Sequence, residues 1–327
     1  QMCIRDSVTA LGFFLLIMLG AFLLMLPFST EGSQWTPPLH AFFTATSAVS
    51  LTGLIVEDTG TYWTPFGQVV IITLIQLGGL GIMSLASLSG MLLTGRISLK
   101  ARRSTAAEGR PVAGGIRRTL LLTFLVTLVC EAAVAVLLAL RLHFAHGVPV
   151  LRAMWEGVFH AISAFNNAGF STYSDNMIGF NTDAWILLPV AFALIVGGLG
   201  YPMLAEIVRR IRGRIKLALR GRAPRVHHMS ITARMTLVGT AILLFGGMTF
   251  FLVAEWSGVL ADMPFGTKLL NSFFMSASPR TAGFNAIDYG HVHSITLMAS
   301  DILMFIGGGS AGTAGGVKVT TTCVLVA

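Results

Sequence analysis

Three short apolar stretches, each closing on a glycine, constrain what this chain can become: Phe43 to Gly53, Phe159 to Gly169, and Phe273 to Gly283. Each opens with phenylalanine, runs through small or apolar residues and closes on Thr52-Gly53-Leu54, Ala168-Gly169-Phe170 or Ala282-Gly283-Phe284. A bilayer core needs about 20 helical residues to cross, so stretches this short dip in and return. Non-helical backbone survives at membrane depth only where protein buries it or it lines a wet cavity. A closing glycine lets the chain turn and aims bare carbonyls into such a cavity. Rings of carbonyls can replace the water shell of a cation, so the expected object is a cation pore.

The rest of the composition agrees with a membrane setting. Hydrophobic residues make up 54% of the 327, charged residues 11%, and the mean hydropathy is +0.77. A soluble domain carries about 25% charged residues, so the chain reads as an integral membrane protein. Cys3, Cys130 and Cys323 offer neither a disulfide framework nor metal-ligand spacing. The net charge of +8 invites a nucleic-acid reading, but its placement argues against one. Seven cations (Arg96, Lys100, Arg102, Arg103, Arg110, Arg117, Arg118) fall in one loop and nine (Arg209, Arg210, Arg212, Arg214, Lys216, Arg220, Arg222, Arg225, Arg234) in another. Both loops join long apolar spans and are expected on the cytoplasmic side of a plasma membrane. The alternate loops, with Glu31, Glu57, Asp58, Asp175, Asp183 and Asp262, are expected outside.

The fold class expected is an all-α polytopic membrane protein built from a span–dip–span unit repeated with pseudo-symmetry around a central ion pore. Residues 1–7 are atypical of a membrane-protein start. Residues 8–94 form the first unit, with spans Val8–Leu26 and Phe66–Leu93 around the dip Leu39–Val49. A basic loop, 95–118, leads to the second unit, 119–208, with spans Leu120–Leu140 and Trp185–Leu204 around the dip Met154–Phe165. A second basic loop, 209–232, leads to the third unit, 233–327, with span Met235–Val253, dip Phe265–Ala277 and an incomplete span from Ile295. The dip glycines are 116 and 114 residues apart, and paired glycines recur in the returning spans at Gly78, Gly197 and Gly307. A fourth unit would place its glycine near residue 398, past Ala327, so the chain is expected to be truncated.

Four segments carry a family resemblance. Ser47-Ala48-Val49-Ser50-Leu51-Thr52-Gly53-Leu54 resembles the first pore loop of the Trk/Ktr/HKT superfamily of potassium transporters. Gln76-Leu77-Gly78-Gly79-Leu80-Gly81-Ile82-Met83, Phe165-Asn166-Asn167-Ala168-Gly169-Phe170 and Arg280-Thr281-Ala282-Gly283-Phe284-Asn285 resemble further superfamily segments, in order. The fit is closest to the bacterial Ktr-type membrane subunit, since no extra helices precede Val8. The resemblance implies four span–dip–span units per subunit, a homodimer in a bacterial plasma membrane, and K+ as the transported ion. It also implies a cytoplasmic ring of nucleotide-binding regulators of the RCK/KTN type. Na+ is a possible coupling or activating ion, and no organic cofactor is expected on this chain. Superfamily members that favour sodium often replace the first filter glycine by serine, so Gly53 leans toward potassium.

The expected selectivity filter comprises Ser50, Leu51, Thr52, Gly53, Asn166, Asn167, Ala168, Gly169, Arg280, Thr281, Ala282 and Gly283. The plain alternative for its glycines is close helix packing. The short helices before the turns should aim their carboxyl ends, each about half a negative charge, at the cavity. Arg280 would repel a cation if it faced the axis, so it is expected to point behind the filter and tie the loop down. Below the filter, the run containing Gly307, Gly308, Gly309, Ser310, Gly312, Gly315 and Gly316 cannot hold a helix, each glycine costing roughly 1 kcal/mol against alanine. It resembles the family's intramembrane gate, residues 307–316; the alternative is a loose connector. Lys318 is expected to meet the pore or an acid, or else to snorkel to the inner surface. Glu131 and Asp301 are acids inside spans, with a functional role or a structural pairing both open. His227 and His228 are expected on a solvated cytoplasmic face, where a regulator or acidic lipid headgroups could dock.

Two rival classes remain. Gly308-Gly309-Ser310-Ala311-Gly312 formally matches the hydrolase elbow, but its flanks are spans rather than strand and helix, and no base is near in sequence. No catalytic residue is therefore assigned and no enzyme is expected. An alternating-access carrier for another cation or small solute, using broken helices as its site, is the alternative to a pore.

Overall fold

The protein is described by a computed structural model over residues 2–95, 116–218, 229–310 and 312–326. The first basic loop's Arg96, Lys100, Arg102, Arg103 and Arg110 lie outside these residues, as do Arg220, Arg222, Arg225, His227 and His228. The helices are α1 (Met2–Met25), α2 (Pro38–Ser50), α3 (Pro65–Gly95), α4 (Ile116–His146), α5 (Val150–Phe165) and α6 (Ala184–Leu199). They continue as α7 (Tyr201–Ala218), α8 (Ile231–Ala254), α9 (Phe265–Ala277), α10 (Ser294–Phe305) and α11 (Val319–Val326). Among the described residues, isolated bridges at Thr30–Trp63 and Ile306–Val317 are the β-type pairing. The fold is therefore helical.

α1, α2 and α3 run long, short, long at 24, 13 and 31 residues, whereas the long α4 and α8 are each followed by a short helix and then by α6 of 16 or α10 of 12 residues. Among the described residues α4 and α8 are long and apolar enough to cross a membrane, and α6 with α7 makes a bent pair. The short helices α2 and α9 have 13 residues and α5 has 16. At about 1.5 Å per residue, 13 residues reach only about 20 Å. Proline starts each of them: Pro38 is the first residue of α2, and Pro149 and Pro264 precede α5 and α9. Proline suits a helix start because the missing N–H would have had no helical partner there.

The cores interlock rather than standing apart. One cluster joins Leu24, Ala41, Ala45, Ile71 and Ile75 of the first three helices to Phe159, Ala168 and Phe170 from α5 and the turn after it. A second joins Val134, Leu138, Phe165, Leu187 and Leu194 to Phe274, Ala277, Ala282 and Phe284 around α9. Each set of helices thus supplies aromatic plugs to the core of the one before. The faces turned away are apolar as well: Leu15, Leu19 and Phe22 on α1 are 58%, 57% and 60% exposed. Such a belt fits hydrocarbon rather than water.

α1 begins at Met2 and α4 at Ile116, both ahead of the expected span starts, and a further departure is the second returning helix. Trp185–Leu204 was to cross unbroken, but α6 ends at Leu199, Gly200 takes φ +89°, and the helix axes differ by 102° across the break. The physical reason is Pro202, whose missing N–H cannot bond the Gly198 carbonyl four residues back. The expected basic loop consequently begins as a helix, α7. Its Glu206 accepts from the Ser230 N–H (3.0 Å) and hydroxyl (2.8 Å) and from Arg210 (3.3 Å), fastening α7 to the start of α8.

At the opposite end, Asp183 caps α6 by accepting from the Trp185 N–H at 2.9 Å. It also accepts from Arg141 Nε at 2.8 Å and His146 Nε2 at 2.9 Å, clasping the end of α4. Burial alone would raise this carboxyl, but the Arg141, His146 and Trp185 hydrogen bonds outweigh it and hold it below the usual carboxylate range. A depressed carboxyl contributes stability above its unfolded value, lost as pH falls through the folded one. Asp183→Asn should cost about 1–3 kcal/mol, read as a lower melting temperature at neutral pH. The parent's advantage over the variant should shrink as pH is lowered below about 4; a gap that persists there would contradict the clasp.

Candidate functional site

Each short helix ends in the same backbone gesture. The N–H groups of Thr52, Ala168 and Ala282 turn back to the carbonyls of Ser47 (3.0 Å), Ser163 (2.8 Å) and Ser278 (2.9 Å). Two residues before each glycine the chain enters the left-handed region at Leu51 (φ 60°), Asn167 (φ 55°) and Thr281 (φ 81°). The glycines follow at φ 74°, 75° and 80° for Gly53, Gly169 and Gly283. Only glycine takes such angles freely, so two positive-φ positions per turn reverse the chain within four residues. Serine hooks close the second and third turns: Ser163 Oγ donates to the Phe170 carbonyl at 2.7 Å and Ser278 Oγ to that of Phe284.

The structure brings the three turns into contact. A Cβ added to Gly53 would strike the Ala168 carbonyl, and one added to Gly169 would strike that of Ala282. The Cβ position of Gly283 stands 3.6 Å from the Gly169 Cα. The first turn thus abuts the second and the second abuts the third, main chain against main chain. Among the described residues, the carbonyls of residues 51–53, 167–169 and 281–283 accept no hydrogen bond. Carbonyls at the carboxyl end of a helix carry partial negative charge, which favours a cation placed near them.

The side chains of the expected filter residues take different parts. Ser50 and Thr52 are exposed, their hydroxyls 3.1 Å apart, with Ser50 also donating to the Thr46 carbonyl at 2.6 Å. Asn166, Asn167 and Ala168 are buried. Arg280, 8% exposed, donates to the Gly307 carbonyl at 3.3 Å.

The glycine-rich run packs directly against these turns. Asn167 Nδ2 donates to Thr313 Oγ1 at 2.8 Å, and that hydroxyl donates to the Phe165 carbonyl at 3.2 Å. Thr281 Oγ1 accepts from the Gly315 N–H at 3.0 Å. From its other side the run reaches the break after α6: the N–H groups of Gly309 and Thr313 meet the carbonyls of Gly198 (2.7 Å) and Gly197 (3.3 Å). The Gly307 N–H donates to the Val317 carbonyl at 3.1 Å, and the Gly308 carbonyl accepts from the Val319 N–H at 3.0 Å. The Gly198 carbonyl released by Pro202 is thus the one that Gly309 takes up. Gly312 and Gly316 complete the loop, and Lys318 curls back to donate to the Ala314 carbonyl instead of meeting an acid. The Ser310 hydroxyl pairs with that of Thr320 at 2.8 Å. His291 and His293 precede the far end of α10.

Of the two acids inside spans, Asp301 stands exposed on α10, whereas Glu131 is buried and meets Asn166 and Gln76. Sequence reasoning overlooked three participants. Thr313 was hidden within the glycine run. Gln76 lay in a recognised segment with no role attached to it. The third is the pair Glu156 and His160, four residues apart on α5, where Arg152 also donates to Glu156 at 2.7 Å, a signal that was legible. His160 hydrogen-bonds the Glu156 carbonyl (2.7 Å) and Ser171 Oγ (3.0 Å), and Tyr173 stacks on it while donating to the Glu156 carboxylate. Burial and then that carboxylate push the Tyr173 phenol up, keeping it a donor behind the second turn.

The TrkH family, described as a cation transport protein, matches residues 8–327. The Ktr system potassium uptake protein B of Bacillus subtilis (strain 168) is 40% identical over 324 residues, 98% of this chain and 69% of that protein. The potassium/sodium uptake protein NtpJ of Enterococcus hirae is 36% identical over 97% of this chain and 67% of its own length. Among solved structures, the potassium transporter TrkH from Vibrio parahaemolyticus shares the fold with a TM-score of 0.68 at 20% identity, over 96% of this chain and 60% of that one. Bare turns in contact, apolar helices and these likenesses agree: the chain is a membrane protein and belongs to the TrkH family of cation transport proteins.

Proposed function

We propose that the chain is the membrane subunit of a potassium-uptake system, in which K+ exchanges its water shell for main-chain oxygens. The observation that carries this is the contact between the turns at Gly53, Gly169 and Gly283, whose neighbouring carbonyls have no other partner among the described residues. Carbonyl rings of this kind match a weakly hydrated monovalent cation without demanding a fixed negative charge. The filter comprises Ser50 to Gly53, Asn166 to Gly169 and Arg280 to Gly283, with Arg280 serving as a tie rather than a ligand. A fourth turn completes the ring, the units are pseudo-symmetric repeats, and two subunits pair in the bacterial plasma membrane with the basic loops cytoplasmic. Sodium is a second ion to test, in line with the name carried by the Enterococcus relative.

In this reading residues 307–316 form the gate and Thr313 is its latch, since its hydroxyl joins the loop to both Asn167 and Phe165. Lys318 steadies the loop through Ala314. A nucleotide-binding regulator acts by moving this loop. The broken helix at Gly200 also suits a carrier with alternating access, and saturable solute binding without permeant-ion flux would favour that rival.

Rubidium uptake into vesicles containing the intact protein tests the filter. Gly53→Ser, Gly169→Ser and Gly283→Ser should each lower the Rb+ over Na+ preference by about tenfold or more, the equivalent of ~1.4 kcal/mol. Flux and preference unchanged in all three would reject the filter. Thr313→Val removes the latch, worth about 1 kcal/mol, and should raise basal Rb+ flux about fivefold at unchanged ion preference. Unaltered basal flux would remove Thr313 from the gate.

A further inference from the structure

The second turn is anchored in a way the other two are not. Three residues before each dip glycine stand Ser50, Asn166 and Arg280. Ser50 is exposed and, among the described residues, bonds Thr46 and Thr52 of its own neighbourhood, and Arg280 reaches the loop carbonyl of Gly307. Asn166 instead turns its amide to a buried carboxylate. Its Nδ2 faces three acceptors: the Ile162 carbonyl of its own helix at 2.9 Å, Gln76 Oε1 at 3.0 Å and Glu131 Oε1 at 3.1 Å. Gln76 Nε2 closes the triangle on Glu131 Oε2 at 3.3 Å.

These three side chains come from α3, α4 and the end of α5. Glu131 is 5% exposed and Asn166 1%. The backbone of α3 is shaped to admit them, because any Cβ on Gly79 would strike Asn166 Oδ1. The arithmetic of donors explains why the middle partner is an acid. Two amides each give a proton to the same side chain, and a carboxyl group meets them with two separate oxygens, Oε1 for Asn166 and Oε2 for Gln76. A glutamine there would aim its own NH2 at that of Gln76, donor against donor, which is costly in a buried place.

From this triangle we infer that Glu131 is a positioning residue for the ion pathway: acting through Asn166, it sets the second turn and thereby the discrimination between ions. The inference rests on the filter reading above. It concerns a side chain that touches no ion, and its effect passes through the amide of Asn166 to the backbone of Asn167, Ala168 and Gly169.

The test is the ratio of initial Rb+ to Na+ uptake in vesicles of the intact protein. Glu131→Gln should lower that ratio by about tenfold or more, ~1.4 kcal/mol of discrimination. Exchanging the two partners, Glu131→Gln with Gln76→Glu, returns two acceptor oxygens and one amide to the triangle. That double variant should restore the ratio to within about threefold of the parent. A merely structural carboxylate would change yield or melting temperature and leave the ratio in place. A folded Glu131→Gln protein that keeps the parental ratio overturns the inference, as does a swap that restores folding but not discrimination. Should Glu131→Gln alone fail to fold, the swap decides on the same ratio. Gly169→Ser separates the two readings: if it shifts the ratio and the Glu131 variants do not, only the positioning role falls; if none shifts it, the filter reading falls too.

Discussion

Everything in this molecule depends on where unpaired peptide groups are allowed to be. A hydrocarbon interior offers no water to a bare N–H or carbonyl, so helices must cross it and irregular backbone must be enclosed. The chain meets that demand asymmetrically. At each dip the N–H groups fold back onto the helix they have just left, while the carbonyls are released. Among the described residues the carbonyls of the three turns thus outnumber their N–H groups as unpaired peptide groups. A surface of that kind suits a cation and repels an anion, with no acidic side chain required.

The second consequence is the tie between the turns and the glycine-rich loop. Asn167 and Thr281 occupy the strained left-handed positions of their turns, and the side chains of these same residues hold Thr313 and Gly315. A Thr in that region costs of order 1–3 kcal/mol and persists only where its surroundings over-determine it. Here the surroundings are the loop itself. The loop in turn leans on Gly197 and Gly198 at the end of α6, whose carbonyls are free because the helix stops there. Turn, loop and broken helix are one hydrogen-bonded body.

Most of the helices were legible in the sequence because the apolar runs are long and their ends are marked by proline or glycine. The third dip matches its expected limits, Phe265 to Ala277, and the other two begin within four residues of expectation. The break after α6 was not foreseen, because Gly197-Gly198-Leu199-Gly200 looks like Gly78-Gly79-Leu80-Gly81, and α3 runs straight through the latter. The difference lies outside the repeated pattern, in Pro202. The turns were legible as glycines, but their mutual contact was not, since no local signal reports which backbones meet. Partners were the least legible of all: Lys318 invited an acid and found a carbonyl of its own loop, and Gln76 gave no hint that it would meet Glu131.

The abutting turns carry one last implication, for how such a protein can be repaired. Where a side chain fills a gap, an oversized replacement can be relieved by trimming a neighbour. Gly53 faces a peptide oxygen, and so does Gly169, and a peptide oxygen has nothing to trim. Suppressors of damage at these glycines must therefore arise by shifting whole segments, through the helices that carry them, and not by exchange of an adjoining residue.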